Sequence, residues 1–172
     1  MKKVVGVSLV VSVCFLSCFS LGKTLSEPLT YTEVVDVDDT SASDLFTKAM
    51  WFFDDPPFAF FTVAMWFFDG PRFEVQFSDR ESGIIKCKYV ANLRLNSENQ
   101  YLVTTTITVN IKDCQYCISF TDTSYKEYND KSEEFIGGDK PVTKQRMAEP
   151  IKNDWLVLSE QLAKKMSVPT KR

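Results

Sequence analysis

Two runs of alternating residues joined by a two-residue turn constrain this chain more than any other feature. Tyr101 to Ile111 reads YLVTTTITVNI, and Gln115 to Phe120 reads QYCISF. With Asp113-Cys114 as the turn, Ile111 pairs with Tyr116, Val109 with Ile118 and Ile107 with Phe120. All six then share one face, as an antiparallel hairpin with one buried side requires. A slip of one residue would send one partner set to the opposite face, so the register is strongly specified.

The rest of the chain supplies elements to pack on that hairpin. Leu29 to Val37, LTYTEVVDV, is rich in β-branched residues and predicts a strand. Phe73 to Phe77 predicts a short strand, and DRESG, Asp79 to Gly83, a turn. Ile84 to Leu93 predicts a strand with Ile85, Cys87, Tyr89, Ala91 and Leu93 on one face. Asn96 to Gln100 reads as a polar loop. Ser41 followed by Asp44 has the spacing of a helix N-cap with an acid in the first turn. The helix that follows carries Leu45, Phe46, Ala49, Met50 and Phe53 at intervals of three and four, and Pro56-Pro57 ends it. Residues 126–150 are polar, contain Gly137-Gly138 and Pro141, and predict a long loop. Ile151 to Met166 predicts an amphipathic helix with Trp155, Leu158, Leu162 and Met166 on its apolar stripe, followed by a basic tail, residues 167–172. The order is strand, helix, four strands, helix. An antiparallel five-stranded sheet with helices on one face, an α+β layer, is the simplest arrangement of these parts.

The first residues lie outside that domain. Lys2 and Lys3 precede an apolar run from Val4 to Leu16, with small residues after it. This is the pattern of a secretory signal peptide, residues 1–22, followed by a linker, residues 23–28. Two processing routes fit. Ser20-Leu21-Gly22 suits cleavage before Lys23, and Leu16-Ser17-Cys18 resembles a lipobox in which Cys18 takes the lipid and tethers the protein to a membrane. Either route predicts an exported protein of the periplasm or outer cell envelope.

Removing residues 1–22 takes two lysines and no acids, so the mature chain is more acidic than the whole, whose net charge is −3. That balance gives no attraction to nucleic acid. The chain has no histidine, which excludes Ser-His-Asp and Cys-His catalysis and His-ligated zinc. Cys114-Gln115-Tyr116-Cys117 has CxxC spacing, but it straddles a hairpin turn rather than opening a helix. With Cys87 it makes three thiols, too few for a four-thiolate zinc site. A local disulfide between Cys114 and Cys117 suits an oxidising compartment, though strand geometry opposes it. Asp36, Asp38 and Asp39 lack the glycine and distal glutamate of a calcium loop and read as a solvated turn. No catalytic residue, cofactor or metal ligand is nominated, so the expectation is a non-enzymatic protein.

The stretch from Ala49 to Pro71 repeats itself. AMWFFD at 49–54 returns at 64–69. The copies bring Trp51, Phe52, Phe60, Phe61, Trp66 and Phe67 close in sequence. One copy can line a helix-on-sheet core, and the second either folds back over the core or presents a partner- or ligand-contact surface. Asp55-Pro56 suits the start of a second helix over Phe58 to Phe68, an aromatic helical insert.

EVVDVDDTSASDLFTKAMWF, FSDRESGIIKCKYV, ITVNIKDCQYCISFTDTSY and WLVLSEQLAKKM, taken in order and spacing, resemble an exported Bacteroidota domain family of unknown function, domain of unknown function 4468. The resemblance covers residues 29–166. It implies a TATA-binding-protein-like (TBP-like) fold and an envelope location, and no reaction or catalytic residues. It also implies that 49–71 holds a tandem insertion, since joining Lys48 to Ala64 restores the family's layout. The functional expectation is an interaction domain for a protein or envelope component, through its sheet face or its aromatic insert. The alternative is a small apolar-ligand or lipid-binding module walled by the insert.

Overall fold

The computed structural model describes residues 25, 27–54, 72–95, 99–129 and 132–168. Six strands and two helices follow in the order β1 (Tyr31–Asp36), α1 (Ala42–Asp54), β2 (Arg72–Asp79), β3 (Ile84–Arg94), β4 (Gln100–Lys112), β5 (Gln115–Asn129), β6 (Glu134–Pro141) and α2 (Gln145–Ser167). The sheet runs β1-β5-β4-β3-β2, with β6 also paired to β5, and every pairing is antiparallel.

The β4–β5 hairpin has the register its alternation demands: Ile111 faces Tyr116, Val109 faces Ile118 and Ile107 faces Phe120. All six are buried. Cys114 turns the corner at φ 59°. Its N–H donates to the Thr40 carbonyl and its carbonyl accepts from the Val37 N–H. The hairpin tip therefore organises the link between β1 and α1. There the Ser41 hydroxyl accepts from the Asp44 N–H, and the Asp113 carboxylate accepts from the Ala42 N–H. Two of the helix's first N–H groups are thus satisfied by side chains, one local and one from across the fold.

Both helices lie on one side of the sheet. Trp155 of α2 stacks on Phe120 at 5.2 Å. Phe52 and Phe53 of α1 pack against Phe73 of β2, which meets Tyr89 of β3. Every buried residue of strands β1 to β5 belongs to that side. On α1 the buried stripe is Leu45, Phe46, Lys48, Ala49, Phe52 and Phe53, while Met50, expected on it, is half-exposed.

The segment expected as a loop, 126–150, is mostly regular structure. β5 continues to Asn129, β6 returns alongside it and α2 starts at Gln145. A β-bulge hid the strand. Thr106 pairs with Thr121 but Thr104 pairs with Ser124, so β5 carries one extra residue, with Asp122 at φ 51°. Before the bulge the inward residues are Tyr116, Ile118 and Phe120; after it they are Thr123 and Tyr125. The extra residue keeps one face buried while breaking the alternation in the sequence. β6 is held by its backbone and by the Lys140–Glu127 and Lys126–Asp139 ion pairs at 3.3 and 3.9 Å, and almost all its side chains are exposed, so it has no apolar pattern to read. α2 starts before Pro150 rather than after it, because Met147 and Ala148 extend the apolar stripe of Ile151, Trp155 and Leu158 by a turn. Pro150 forfeits one backbone hydrogen bond near the helix start.

Candidate functional site

The second face of the sheet has neither helix on it. Its residues follow from the pairing register. One row runs Thr32, Ser119, Thr108, Lys86 and Phe77 across five strands, and the next runs Thr121, Thr106, Lys88 and Glu74. Thr104 with Ser124 and Val90 continues the array, and Cys117 lies between Val34 and Asn110. None of these side chains is buried. Hydroxyl groups dominate the centre, so this face can donate and accept hydrogen bonds. Phe77 reaches it through a second bulge. Val75 pairs with Cys87 and Phe77 with Lys86, so the extra residue, Gln76, flips Phe77 outward, where it is 49% exposed.

On the helix side, one polar trio joins an edge strand to a helix. Glu33 of β1 accepts from the Tyr31 hydroxyl at 2.9 Å and from the Ser159 hydroxyl of α2 at 2.5 Å. Burial, then the hydrogen bond to Glu33, pushes the Tyr31 hydroxyl above its ordinary pKa. The trio ties α2 to the sheet edge. Ser159 is buried within this trio. Burial also pushes the Cys87 thiol up to about 12 and raises the Cys117 thiol, which leaves both poor nucleophiles at neutral pH. Cys87, Cys114 and Cys117 are free thiols. Among the described residues, no group of three His, Cys, Asp or Glu side chains could hold a metal ion. Burial raises the Asp154 carboxyl to about 6.

The contact residues expected from the repeat separate. Trp51 projects from α1, 56% exposed. Phe52, expected beside it at the contact surface, is a core residue at 2% exposure, with its ring edge-on to Phe53 and Phe73. Trp51 lies about 100° round the helix from Phe52, off the buried stripe that Phe52 shares with Leu45, Ala49 and Phe53. Phe60, Phe61, Trp66 and Phe67 lie outside the described residues, as do Cys18 and the expected helix over Phe58 to Phe68. Sequence reasoning missed Phe77 as a surface residue. A plain alternation through Phe73, Val75 and Phe77 puts all three inside, and only the bulge separates them.

An antiparallel sheet covered on one face by two helices, with the other face bare among the described residues, is a TBP-like α+β arrangement. Two solved structures share it. A DUF4468 family protein from Bacteroides ovatus aligns with a TM-score of 0.59 at 12% identity, over 86% of this chain and 91% of that one. A TBP-like protein from Parabacteroides distasonis aligns with a TM-score of 0.52 at 13% identity, over 80% and 93%. The family that the sequence resembles is thus represented among the folds the structure matches. At these identities the likeness is one of fold. No family model matches the sequence, and no curated protein matches it.

Proposed function

We propose that this protein is a non-enzymatic, exported cell-envelope domain that binds a protein or envelope component through the bare face of its sheet. The observation that supports this most is the asymmetry of the sheet. One face is closed by α1 and α2 around a continuous core, and the other presents hydroxyl, amide, ammonium and apolar side chains across five strands. An enzyme would need polar groups converging in a cleft, whereas these are spread over an open surface. The apolar leader of residues 1–22 supports export. A second reading, a small apolar-ligand or lipid module using the aromatic insert, is favoured by one observation: Trp51 stands exposed at the entry to that segment.

Site-specific photocrosslinking in living cells tests the main reading. A photoreactive residue replaces Thr106 on the bare face in one full chain and Lys152 on the solvent side of α2 in another. Adducts of defined size from position 106 and none from 152 are expected. No adduct from 106, or the same adducts from both, overturns the reading. Cell fractionation tests export: cytosolic protein with Met1 intact would sink it.

A further inference from the structure

Charge on this face is mixed. β3 sends Lys86, Lys88 and Arg94 to it, β2 adds Arg72, β4 adds Lys112, and β5 adds Lys126, which pairs with Asp139. Against these stand Asp36, Glu74, Asp79 and the bulge residue Asp122. On β3 alone the outward charges form a cationic ridge of Lys86, Lys88 and Arg94. Lys86 and Lys88 are neighbours on this ridge. Among the described residues, neither has a carboxylate within ion-pair distance, although Glu74 is the register partner of Lys88.

The surroundings of these two lysines narrow what they could hold. Lys86 lies between Phe77 and Thr108, and Lys88 between Glu74 and Thr106. Ammonium and hydroxyl donors side by side suit carboxylates, which accept only. Phe77, with the half-exposed Ile84, Val90 and Leu102, adds apolar contact area in the same patch. A mixture of aromatic, aliphatic and donor groups fits the side chains of a polypeptide better than a sugar or phosphate backbone. Glu74 within the patch and the acidic balance of the chain oppose a polyphosphate, whose binding needs many cations acting together. We propose that the patch of Lys86, Lys88, Phe77, Thr106 and Thr108 receives an acidic segment of a protein partner, with Phe77 as its apolar anchor. This rests on the bare face being the binding surface. Charge complementarity of this kind sets encounter rate and partner choice more than raw affinity.

The test uses the purified, processed protein and a fluorescein-labelled peptide of alternating Glu and Leu, with the same peptide carrying Ser for Glu as the comparison. At low salt the Glu peptide should bind about tenfold or more tightly. The preference should disappear in Lys86→Glu/Lys88→Glu and weaken in Phe77→Ser, yet survive in Lys152→Glu on α2. Unchanged thermal unfolding would show that each variant is folded. Equal binding of the two peptides, or equal loss in the α2 variant, overturns the proposal. So does stronger competition from heparin or single-stranded DNA than from the Glu peptide. Salt-sensitive self-association abolished by the same double variant also overturns it, since the occupant would then be a second copy of this chain. Crosslinking from Thr106 separates the two levels: adducts without any acidic preference leave the bare-face reading standing and remove only the acidic partner.

Discussion

The ammonium of Lys48 on α1 donates to the backbone carbonyl of Met166 in the last turn of α2, 2.8 Å away. Lys48 is only 6% exposed. A helix ends with carbonyls that lack an internal partner, and a cation there also meets the negative end of the helix dipole. One helix therefore caps the other from the side. Lys48→Met, which preserves the aliphatic packing, should lose about 1.5–3 kcal/mol in urea unfolding, the range of a hydrogen bond with a charged partner. Lys48→Ala should lose more, because it adds a cavity. A methionine variant as stable as the wild type would show that the capping bond contributes nothing.

Asp154 should make stability depend on pH. Its folded-state pKa, about 6, lies above the ordinary 3.8, so the folded protein holds this proton more tightly than the unfolded chain does. The stability associated with it is fully present below about pH 4 and is lost as pH rises through about 6. Asp154→Asn should therefore stabilise the protein above pH 6, by on the order of 1–3 kcal/mol, and change little below pH 4. Thermal unfolding of both forms at several pH values would show it. A gain that is the same at every pH would rule out titration of Asp154 as the cause.

Gly83 closes the β2–β3 turn at φ 67°, and a Cβ there would approach the Ile111 carbonyl oxygen to within 2.3 Å. The Gly83 carbonyl also accepts from the Ile111 N–H at 2.8 Å. Gly83→Ala combines a disfavoured backbone with a clash against the central strand, and should lower stability by about 2 kcal/mol or more in denaturant titration. An alanine variant with an unchanged midpoint would mean that the turn can shift without loss.

The cysteines should react in order. Cys114 is exposed at the hairpin tip, Cys117 is half-buried, and the buried Cys87 has its thiol pushed up to about 12. Under reducing-agent-free conditions at mildly alkaline pH, a thiol reagent should label Cys114 rapidly, Cys117 slowly and Cys87 only on unfolding. Mass spectrometry after timed labelling reads this directly. Rapid labelling of Cys87 in the folded protein would contradict its place in the core.

Asp122 should be replaceable, and even removable, without turning the strand over. Asp122→Gly keeps the extra residue in a backbone conformation that glycine adopts freely, so it should be close to neutral. Deletion leaves Phe120, Thr123 and Tyr125 on the buried face and Thr121 and Ser124 on the other, so β5 keeps its inward residues and loses only the bulge. Cooperative unfolding is expected for both variants, as read by circular dichroism; its loss in the deletion alone would show that the local kink of the bulge is itself required.

The elements legible in the sequence are those whose pattern runs unbroken. β3, β4 and the first part of β5 alternate cleanly, and Ser41 with Asp44 marks the start of α1. What escaped reading is what interrupts a pattern on purpose. The bulge at Asp122 hid the second half of β5, the bulge at Gln76 hid the exposure of Phe77, and Pro150 hid the first turn of α2. β6 carries no apolar period because backbone pairing and ion pairs hold it. The candidate site was legible only as a face: alternation assigns Lys86, Lys88, Thr106 and Thr108 to the side away from the core, but their placement in adjoining rows needs the register.

β1 has a consequence for how the chain comes together. It is the first strand made, yet its partner is the early part of β5, with Tyr31 opposite Phe120 and Asp36 opposite Gln115. β2, β3 and β4 all intervene in the chain. The amino-terminal strand must therefore wait for most of the polypeptide before it can pair, a non-local closure of the sort that slows folding. For a chain proposed to cross a membrane before it folds, this strand order is an asset: the end that leads the way out has nothing to fold onto until the rest has followed.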